Sequence, residues 1–427
     1  MSTDLAAVVM AGGLGTRMKS ATPKHLHPLL GRRVVDWVID TARAAGADPV
    51  VVVVSPEASR DFAGVQLAVQ EQPLGTGDAV RSARDALHEA QGDVLVLNGD
   101  VPLLTPDVLR DLVETHRRER AAATVLSFEP EDARAYGRVI RDGDSRLQRI
   151  VEAVDATPDE LESREVNSGM YVFRADRLWP TLERLAPHNA QGELYVTDTL
   201  GHLVADGETV AVHVAPDPVA AEGVNTRAEL AAAAETLRDR INAAHMLAGV
   251  TIVDPATTWI DADVVLEPDV TIHPFTVIRG PVKVSSGAEI GPFAYIRPGT
   301  EVGGEAKIGT FVEVKNSVVG PRTKIPHLSY IGDAEIGEDT NVAAGNITAN
   351  FKHEPGKPKA RTKIGRNVRT GVDNTFDAPV EIGDDAWIAP GAVITDDVPP
   401  GSLAGFAPRQ ETKEGYVYRK HGNRDDD

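Results

Sequence analysis

The sequence predicts an α/β domain followed by an all-β domain built as a parallel β-helix. Three observations carry this. Short apolar runs alternate with amphipathic stretches through the first half, the βαβ rhythm of a mostly parallel sheet with helices on both sides. From Leu266 to Val314 an aliphatic residue returns at every sixth position: Leu266, Ile272, Ile278, Val284, Ile290, Ile296, Val302, Ile308 and Val314. At 427 residues the chain is long enough for two or more domains.

A beat of six is neither helical nor that of a simple strand. It fits a parallel β-helix, in which each coil turns three corners and one aliphatic per strand points into the bore. The beat resumes after shifts of one residue at Val319, Ile325 and Ile331, then at Ile336 and Val342. It returns at Phe376, Ile382, Ile388 and Ile394.

In the first half, Leu5–Met10 reads as a buried strand and Pro49–Ser55 as a valine-rich one. Arg33–Ala45 places Val34, Val35, Val38, Ile39 and Ala42 on one helical face. Asp93–Leu97 is a further strand, running into Asn98-Gly99-Asp100. Ligands of such sheets bind beyond the carboxyl ends of the strands, so the loops after Met10 and Leu97 are expected to converge. Thr226–Leu247 reads as a joining helix. Thr226 and Glu229 form a capping box, and Leu230, Leu237, Ile241 and Met246 form its apolar stripe. The tail His421–Asp427 is polar and expected to be disordered.

Composition narrows the function. Cys is absent, which removes disulfides, thiolate metal sites and a cysteine nucleophile. The net charge of −20 argues against nonspecific nucleic-acid binding and suits a solvated surface. No apolar stretch reaches the roughly 20 residues that span a bilayer, and the start lacks the basic segment of a secretory leader. A cytoplasmic protein with no membrane and no nucleic-acid partner is expected.

The loop Ala11–Arg17, after the first strand, is rich in glycine. Glycines let backbone N–H groups close on phosphate oxygens, and Arg17 and Lys24 add positive charge, one as a planar fork and one as a point. The spacing is neither that of a Walker A loop nor that of a dinucleotide fingerprint, so a plain tight turn stays open on this loop alone. A second glycine-rich loop, Gln70–Gly77, follows another strand. Gly137, Glu152, Asn167 and Asn225 sit in the short motifs AYGRV, IVEAVDA, VNSGMYVF and EGVNTR. Asp100 with an oxygen of Asn225 suits Mg²⁺, which takes one or two protein oxygens beside phosphates and water.

The ordered motifs MAGGLGTRM, QPLGTGDA, LNGDVPLL, YGRV, EVNSGMYVF, NAQGELYVTD and EGVNTR resemble the bacterial bifunctional N-acetylglucosamine-1-phosphate uridylyltransferase/glucosamine-1-phosphate acetyltransferase family. The resemblance covers nearly the whole chain. It implies a Rossmann-like nucleotidyltransferase domain at 1–225, a linker helix at 226–247, a left-handed β-helix of hexapeptide repeats at 248–415 and a tail at 416–427. It implies that Ala11, Gly12 and Gly13 and the side chain of Gln70 hold the uracil, with Gly75 and Thr76 beside it. Arg17 and Lys24 would face the triphosphate of UTP, Asp100 and Asn225 would hold Mg²⁺, and Gly137, Glu152 and Asn167 would grip N-acetylglucosamine 1-phosphate. Two positions depart from the family: Gly12 stands where Ala is usual, and Asn98 where Tyr is common. Both bear on the choice of base.

A β-helix can serve assembly alone. Here polar residues cluster along it: Arg297, Lys315, His327, Tyr330 and Asn341, within YIRPGT, FVEVKN, PHLSYIGDAEIG and NVAAGN. This succession resembles the acetyltransferase half of the same family. It implies that Arg297 and Lys315 bind the phosphate of glucosamine 1-phosphate, that Tyr330 and Asn341 contact the sugar, and that Asn350 lies near sugar and acyl group. His327 would be the general base, since a histidine with a pKa of about 6.5 suits removal of an amine proton at neutral pH.

The acetyl-CoA side departs further. Asn350-Phe351-Lys352-His353 replaces Asn-Tyr-Asp-Gly, and the following loop is long. Val372 replaces a serine, Pro390 replaces an alanine whose N–H faces the thioester, and Ala407 replaces an arginine. Proline has no N–H to donate. Lys352, Lys357, Lys359 and Lys363 could restore charge, although a solvated loop is the favoured reading. The resemblance also implies a homotrimer with acetyl sites between neighbouring β-helices.

The expectation is therefore a bifunctional enzyme making UDP-N-acetylglucosamine for cell-wall precursors. The alternative is a sugar-1-phosphate nucleotidylyltransferase, using UTP or dTTP, whose β-helix only assembles the protein or takes a different acyl donor. A non-catalytic scaffold is disfavoured by the presence of Arg17, Lys24, Asp100 and Asn225.

Overall fold

A computed structural model describes residues 4–405, except 14, 63, 134–135, 144–145, 188, 190 and 352–357, together with 412–416 and 419. The chain forms two compact units, Met1–Leu237 and Arg238–Asp427. The division falls inside the helix Arg227–Leu247. The predicted capping box is formed there: Thr226 N–H donates to Glu229 Oε2 (2.9 Å), and Glu229 N–H donates to Thr226 Oγ1 (3.2 Å).

Among the described residues the main sheet of the first unit has nine strands: β1 (Leu5–Met10), β2 (Val50–Val54), β3 (Gln66–Val69), β4 (Asp93–Asn98), β5 (Ala123–Phe128), β6 (Arg138–Arg141), β7 (Leu147–Val151), β8 (Val166–Arg174) and β9 (Val210–Val214). The main order is β9-β5-β8-β4-β1-β2-β3. Neighbours from β4 to β3 pair in parallel, whereas β8 runs antiparallel to both β4 and β5. Alternate side chains feed two cores. Ala7, Val9, Leu95 and Leu97 face one layer; Ala6, Val8, Val94 and Val96 face the other. Both faces being buried explains why these strands read as continuous apolar runs. The helix Val34–Ala44 buries Val34, Val35, Val38, Ile39 and Ala42, the face predicted for it.

The register of β1 on β4 sets the site. Met10 lies opposite Asn98, and Gly99 N–H donates to the Met10 carbonyl at 2.9 Å. The loops after Met10 and Leu97 thus converge as expected.

In the second unit the six-residue beat becomes a register. Leu266 pairs with Val284 and Val284 with Val302; Ile272 pairs with Ile290 and Ile290 with Ile308, each eighteen residues on. Three sixes make one coil of a parallel β-helix. The next coil is one residue shorter, with Val302 opposite Val319 and Ile308 opposite Ile325, which is the shift visible in the sequence. Thr348 then lies opposite Phe376, twenty-eight residues on, because the long segment after Asn350 is inserted in that coil. The aliphatics form one continuous core from Val250 to Val398. Corner residues such as Phe275, Phe293, Phe311 and Leu328 take left-handed φ.

The helix stripe needs a correction. Leu237 is buried and Ile241 packs on the β-helix core, but Met246 is 39% exposed. It is the next-to-last residue of the helix, just before the chain leaves for the first coil. Among the described residues no helix is long and apolar enough to cross a membrane. Lys352, His353, Lys357, Ala407 and the tail His421–Asp427 lie outside the described residues.

Candidate functional sites

Two adjoining cavities open above the carboxyl ends of β1 and β4. The smaller, about 250 Å³, is lined by Ala11, Gly12, Gly13, Gln70, Gly75 and Thr76, which brings the whole predicted nucleotide set together. The larger, about 710 Å³, is lined by Arg17, Gly137, Glu152, Asn167 and Asn225 among others. Lys24, Thr76 and Asp100 line both, so they stand where the two cavities meet.

Gly75 has two reasons to be glycine. Its φ is +118°, and a Cβ would stand 2.5 Å from the Leu194 carbonyl oxygen. This close approach lets Leu194 N–H bond the Leu74 carbonyl, and Thr76 Oγ1 accept from Val196 N–H at 3.0 Å. The second glycine-rich loop is thereby tied to the segment carrying Tyr195 and Thr197. Gln70 is buried, and its amide nitrogen donates to the Gly75 carbonyl and to Asp78 Oδ2, both at 3.0 Å.

At the meeting point, Lys24 Nζ lies on the Asp100 carboxylate and donates to Asn225 Oδ1 at 3.0 Å. Arg17 donates to the same Asn225 oxygen at 2.9 Å. The Asn225 amide nitrogen turns away, to the Gly223 carbonyl, which leaves Oδ1 pointing at the cations. One carboxylate oxygen and one amide oxygen therefore converge on a single positive centre. An all-oxygen pair of this kind fits a hard divalent ion that completes its shell with phosphate and water.

At the larger cavity, Gly137 and Asn167, predicted to hold the sugar, are joined by a bond from Asn167 N–H to the Gly137 carbonyl (2.8 Å). The Asn167 side chain donates to Tyr171 Oη (2.8 Å) and accepts from Gly169 N–H (3.0 Å). It sits at an irregularity in β8. Asn98, the residue replacing tyrosine, braces that irregularity by donating to the Ser168 carbonyl at 3.1 Å. Burial, with Asp155 and Asp198 nearby, pushes the Glu152 carboxyl above its ordinary range. A carboxyl so placed favours hydrogen bonding to neutral hydroxyls over a second negative charge.

In the β-helix, Asp333 joins three of the predicted glucosamine-phosphate residues: Lys315, Asn350 and, through Asn350, Tyr330. It is buried and left-handed at φ 51°. Its carboxylate accepts from Asn350 Nδ2 and from Asn316 Nδ2 (2.5 Å) and lies 3.9 Å from Lys315 Nζ. Asn350 also donates to Tyr330 Oη at 3.4 Å. A Cβ at Gly332 would stand 2.4 Å from Tyr330 Oη and 2.7 Å from Asn350 Nδ2, so only glycine permits this approach. Burial alone would raise the Asp333 pKa, but the amides of Asn316 and Asn350, with Lys315 and Lys359, hold it below the usual carboxylate range. Arg297 donates to Glu313 at 2.7 Å.

His327 is exposed at a corner. His327 and the residues at that corner in the succeeding coils, Ala344, Val372 and Pro390, are each followed by a left-handed residue, and the N–H groups of Gly345, Asp373 and Gly391 donate to the carbonyls of Leu328, Ala344 and Val372. The predicted acyl-donor positions Val372 and Pro390 thus share one edge with His327. Asn341 stands apart, bridged between Lys324 and Arg369 on the strand face before that corner, whereas Tyr330 lies on the face after it. Within one chain the predicted acetyl-site residues occupy two faces and the corner between them.

Comparison with known proteins decides the family. The model of the MobA-like NTP transferase domain matches residues 7–203. The bifunctional protein GlmU of Mycobacterium tuberculosis (strain ATCC 25177 / H37Ra) is 43% identical over 462 residues, covering 98% of this chain and 93% of its own. GlmU of Streptomyces coelicolor is 44% identical over 457 residues, covering 97% and 94%. This chain belongs to the GlmU family. It is accordingly a bifunctional enzyme of UDP-N-acetylglucosamine synthesis, a nucleotidyltransferase joined to an acetyltransferase.

Three side chains pack against predicted site residues without standing out in the sequence: Asp78 behind Gln70, Asp333 behind Asn350, and His25 beside Lys24. The first two lie inside the motifs QPLGTGDA and GDAEIG, but nothing in those motifs ties them to Gln70 or Asn350. His25 lies in no such motif. Lys359 is exposed, as the solvated-loop reading expects, yet lies near enough to Lys315 to lower that ammonium's pKa. Lys363 instead stands in the strand ladder between Glu335 and Glu381.

Proposed function

We propose the following assignment of roles within the two activities. In the first unit, Ala11–Gly13, Gln70, Gly75 and Thr76 hold the uracil of UTP. Arg17 and Lys24 neutralise the triphosphate, and Gly137, Glu152 and Asn167 hold N-acetylglucosamine 1-phosphate. Asp100 and Asn225 hold Mg²⁺, which when bound would neutralise phosphate charge. The sugar phosphate oxygen attacks the α-phosphorus in line and pyrophosphate leaves. Such a transfer needs positioning and charge neutralisation more than covalent help.

In the second unit, Arg297 and Lys315 bind the phosphate of glucosamine 1-phosphate, and Tyr330, Asn341 and Asn350 orient the sugar. His327 takes the proton from the amine as it attacks the thioester of acetyl-CoA, and Val372 and Pro390 line the path of the acyl donor. A homotrimer is proposed because the residues of this site are spread over two faces and a corner, an arrangement that neighbouring chains would complete. The domain limits proposed are 1–225, 226–247, 248–415 and 416–427. The proposed location is the cytoplasm, where nucleotide and thioester substrates are made, and the proposed product use is in precursors of peptidoglycan and lipopolysaccharide.

The observation that carries this reading is the convergence of Asp100 and Asn225 on the Lys24 cation at the junction of two cavities. The test is pyrophosphate release from UTP and N-acetylglucosamine 1-phosphate, and thiol release from acetyl-CoA and glucosamine 1-phosphate, each with and without Mg²⁺. Release of both products, with metal dependence of the first alone, is expected. Pyrophosphate release unaffected by a chelator would overturn the metal assignment.

A further inference from the structure

We infer that Asp78 determines which nucleobases the smaller cavity accepts, by fixing the side-chain amide of Gln70. This rests on reading that cavity as the nucleotide site. The Gln70 amide nitrogen has two hydrogens, and both are spent within the protein, on the Gly75 carbonyl and on Asp78 Oδ2, each at 3.0 Å. Both partners can only accept. Turning the amide over would set Oε1 against a carbonyl and a carboxylate and leave two acceptors facing a third, in a setting where Gln70 and Asp78 are both buried. The orientation is therefore dictated by chemistry. Asp78 is itself anchored by Arg81, which donates to its other oxygen at 2.5 Å.

The consequence is an enforced acceptor at the cavity wall. Gln70 Oε1 faces Gly12, where a Cβ would stand 3.3 Å from it. Glycine at position 12 leaves that oxygen room. Uracil and thymine present N3–H as a donor, whereas cytosine N3 and adenine N1 are acceptors and would oppose Oε1 lone pair to lone pair. A buried hydrogen-bonding group left facing the wrong partner discriminates far more strongly than a missing methyl group. Asp78 is thus a positioning residue for base selection, and the device sorts bases by ring-nitrogen polarity without separating UTP from dTTP.

The experiment compares UTP with CTP in pyrophosphate release with N-acetylglucosamine 1-phosphate, for wild type, Asp78→Asn, Gln70→Ala and the double variant. Wild type is expected to prefer UTP by at least about a hundredfold in kcat/KM. Asn at 78 can donate as well as accept, so the Gln70 amide is free to turn. The preference should fall by about tenfold or more, through the KM for UTP with kcat retained. Gln70→Ala should show a similar loss, and adding Asp78→Asn to it should change nothing further. A preference within about twofold of wild type in Asp78→Asn, or an equal extra loss in the Gln70→Ala background, would overturn the inference. So would Gln70→Ala keeping full discrimination, which covers the case of a misfolded Asp78→Asn. Wild type that releases no pyrophosphate from either nucleotide sinks the reading of the site itself; release from both alike sinks only the role of Asp78.

Discussion

Lys24 and Asp100 form an ion pair across the junction of the two cavities, 76 residues apart in sequence and side by side in space. The pairing follows from β1 and β4 being sheet neighbours, with Met10 opposite Asn98. Asp100→Asn would leave the fold of this corner intact but remove the one full negative charge from the metal pair. Pyrophosphate release should fall by about a hundredfold or more, a loss in line with removing a charge-stabilising group from a transfer site. Titration of Mn²⁺ onto the variant should show weakened binding in the absence of any turnover. Wild-type affinity for Mn²⁺ would remove Asp100 as a ligand. Thiol release should be untouched, because Asp100 belongs to the first unit.

His327 stands exposed on an edge shared with Val372 and Pro390. His327→Ala should lower thiol release by roughly a hundred- to ten-thousandfold, the range for removing a general base, and leave pyrophosphate release unchanged. The residual rate should climb as the pH is raised toward the amine's own pKa. A loss that is the same at every pH would assign His327 to binding.

Asp333 tests how the sugar-phosphate site is held. Its carboxylate spans Asn316, Asn350 and Lys315, and through Asn350 reaches Tyr330. Asp333→Asn keeps the shape and loses the charge opposite Lys315 and Lys359. The KM for glucosamine 1-phosphate should rise about tenfold or more, with a smaller change in kcat, if the altered groups hold the sugar phosphate as proposed, in ground and transition state alike. An unchanged KM, measured by thiol release at varied sugar phosphate, would confine Asp333 to a structural role.

The fold was legible because its periods are physical. Two-sided burial wrote continuous apolar runs into β1, β2 and β4, and the triangular coil wrote a beat of six into the second unit. The one-residue shift at Val319 is a shortened coil. The capping box at Thr226 was readable from two residues. Met246 was misread because a helical stripe in sequence does not say where the helix stops packing. The candidate site was legible where a motif carries the residue that lines a cavity, as at Asp100 or Gln70. It was not legible for residues that act through another side chain. Asp78 and Asp333 make no sequence pattern with Gln70 and Asn350; their pairings arise only when a loop folds back onto its helix or one coil lies on the next. The nearness of Lys359 to Lys315 is not legible in the sequence, because it depends on the path of an inserted segment.

His25 supplies a prediction about pH. Its ring is 2% exposed, tilts against Phe62 with centroids 6.2 Å apart, and has an Nε2 with no partner among the described residues. Burial, aided by the Lys24 ammonium, lowers its pKa from 6.5 to about 4. A folded-state pKa below the unfolded one means that the unfolded chain takes up the proton first. The stability contributed by a neutral His25 is therefore complete above pH 6.5 and is lost progressively as the pH falls toward 4, at up to about 1.4 kcal/mol per pH unit. His25→Val removes the proton uptake while keeping an apolar group against Phe62. Urea unfolding at pH 7 and pH 5 should show a smaller acid-induced drop in the variant than in wild type. Some drop should remain, because burial also lowers His27, His213 and His245. An equal drop in both proteins would mean that His25 opens to solvent and titrates freely in the folded chain.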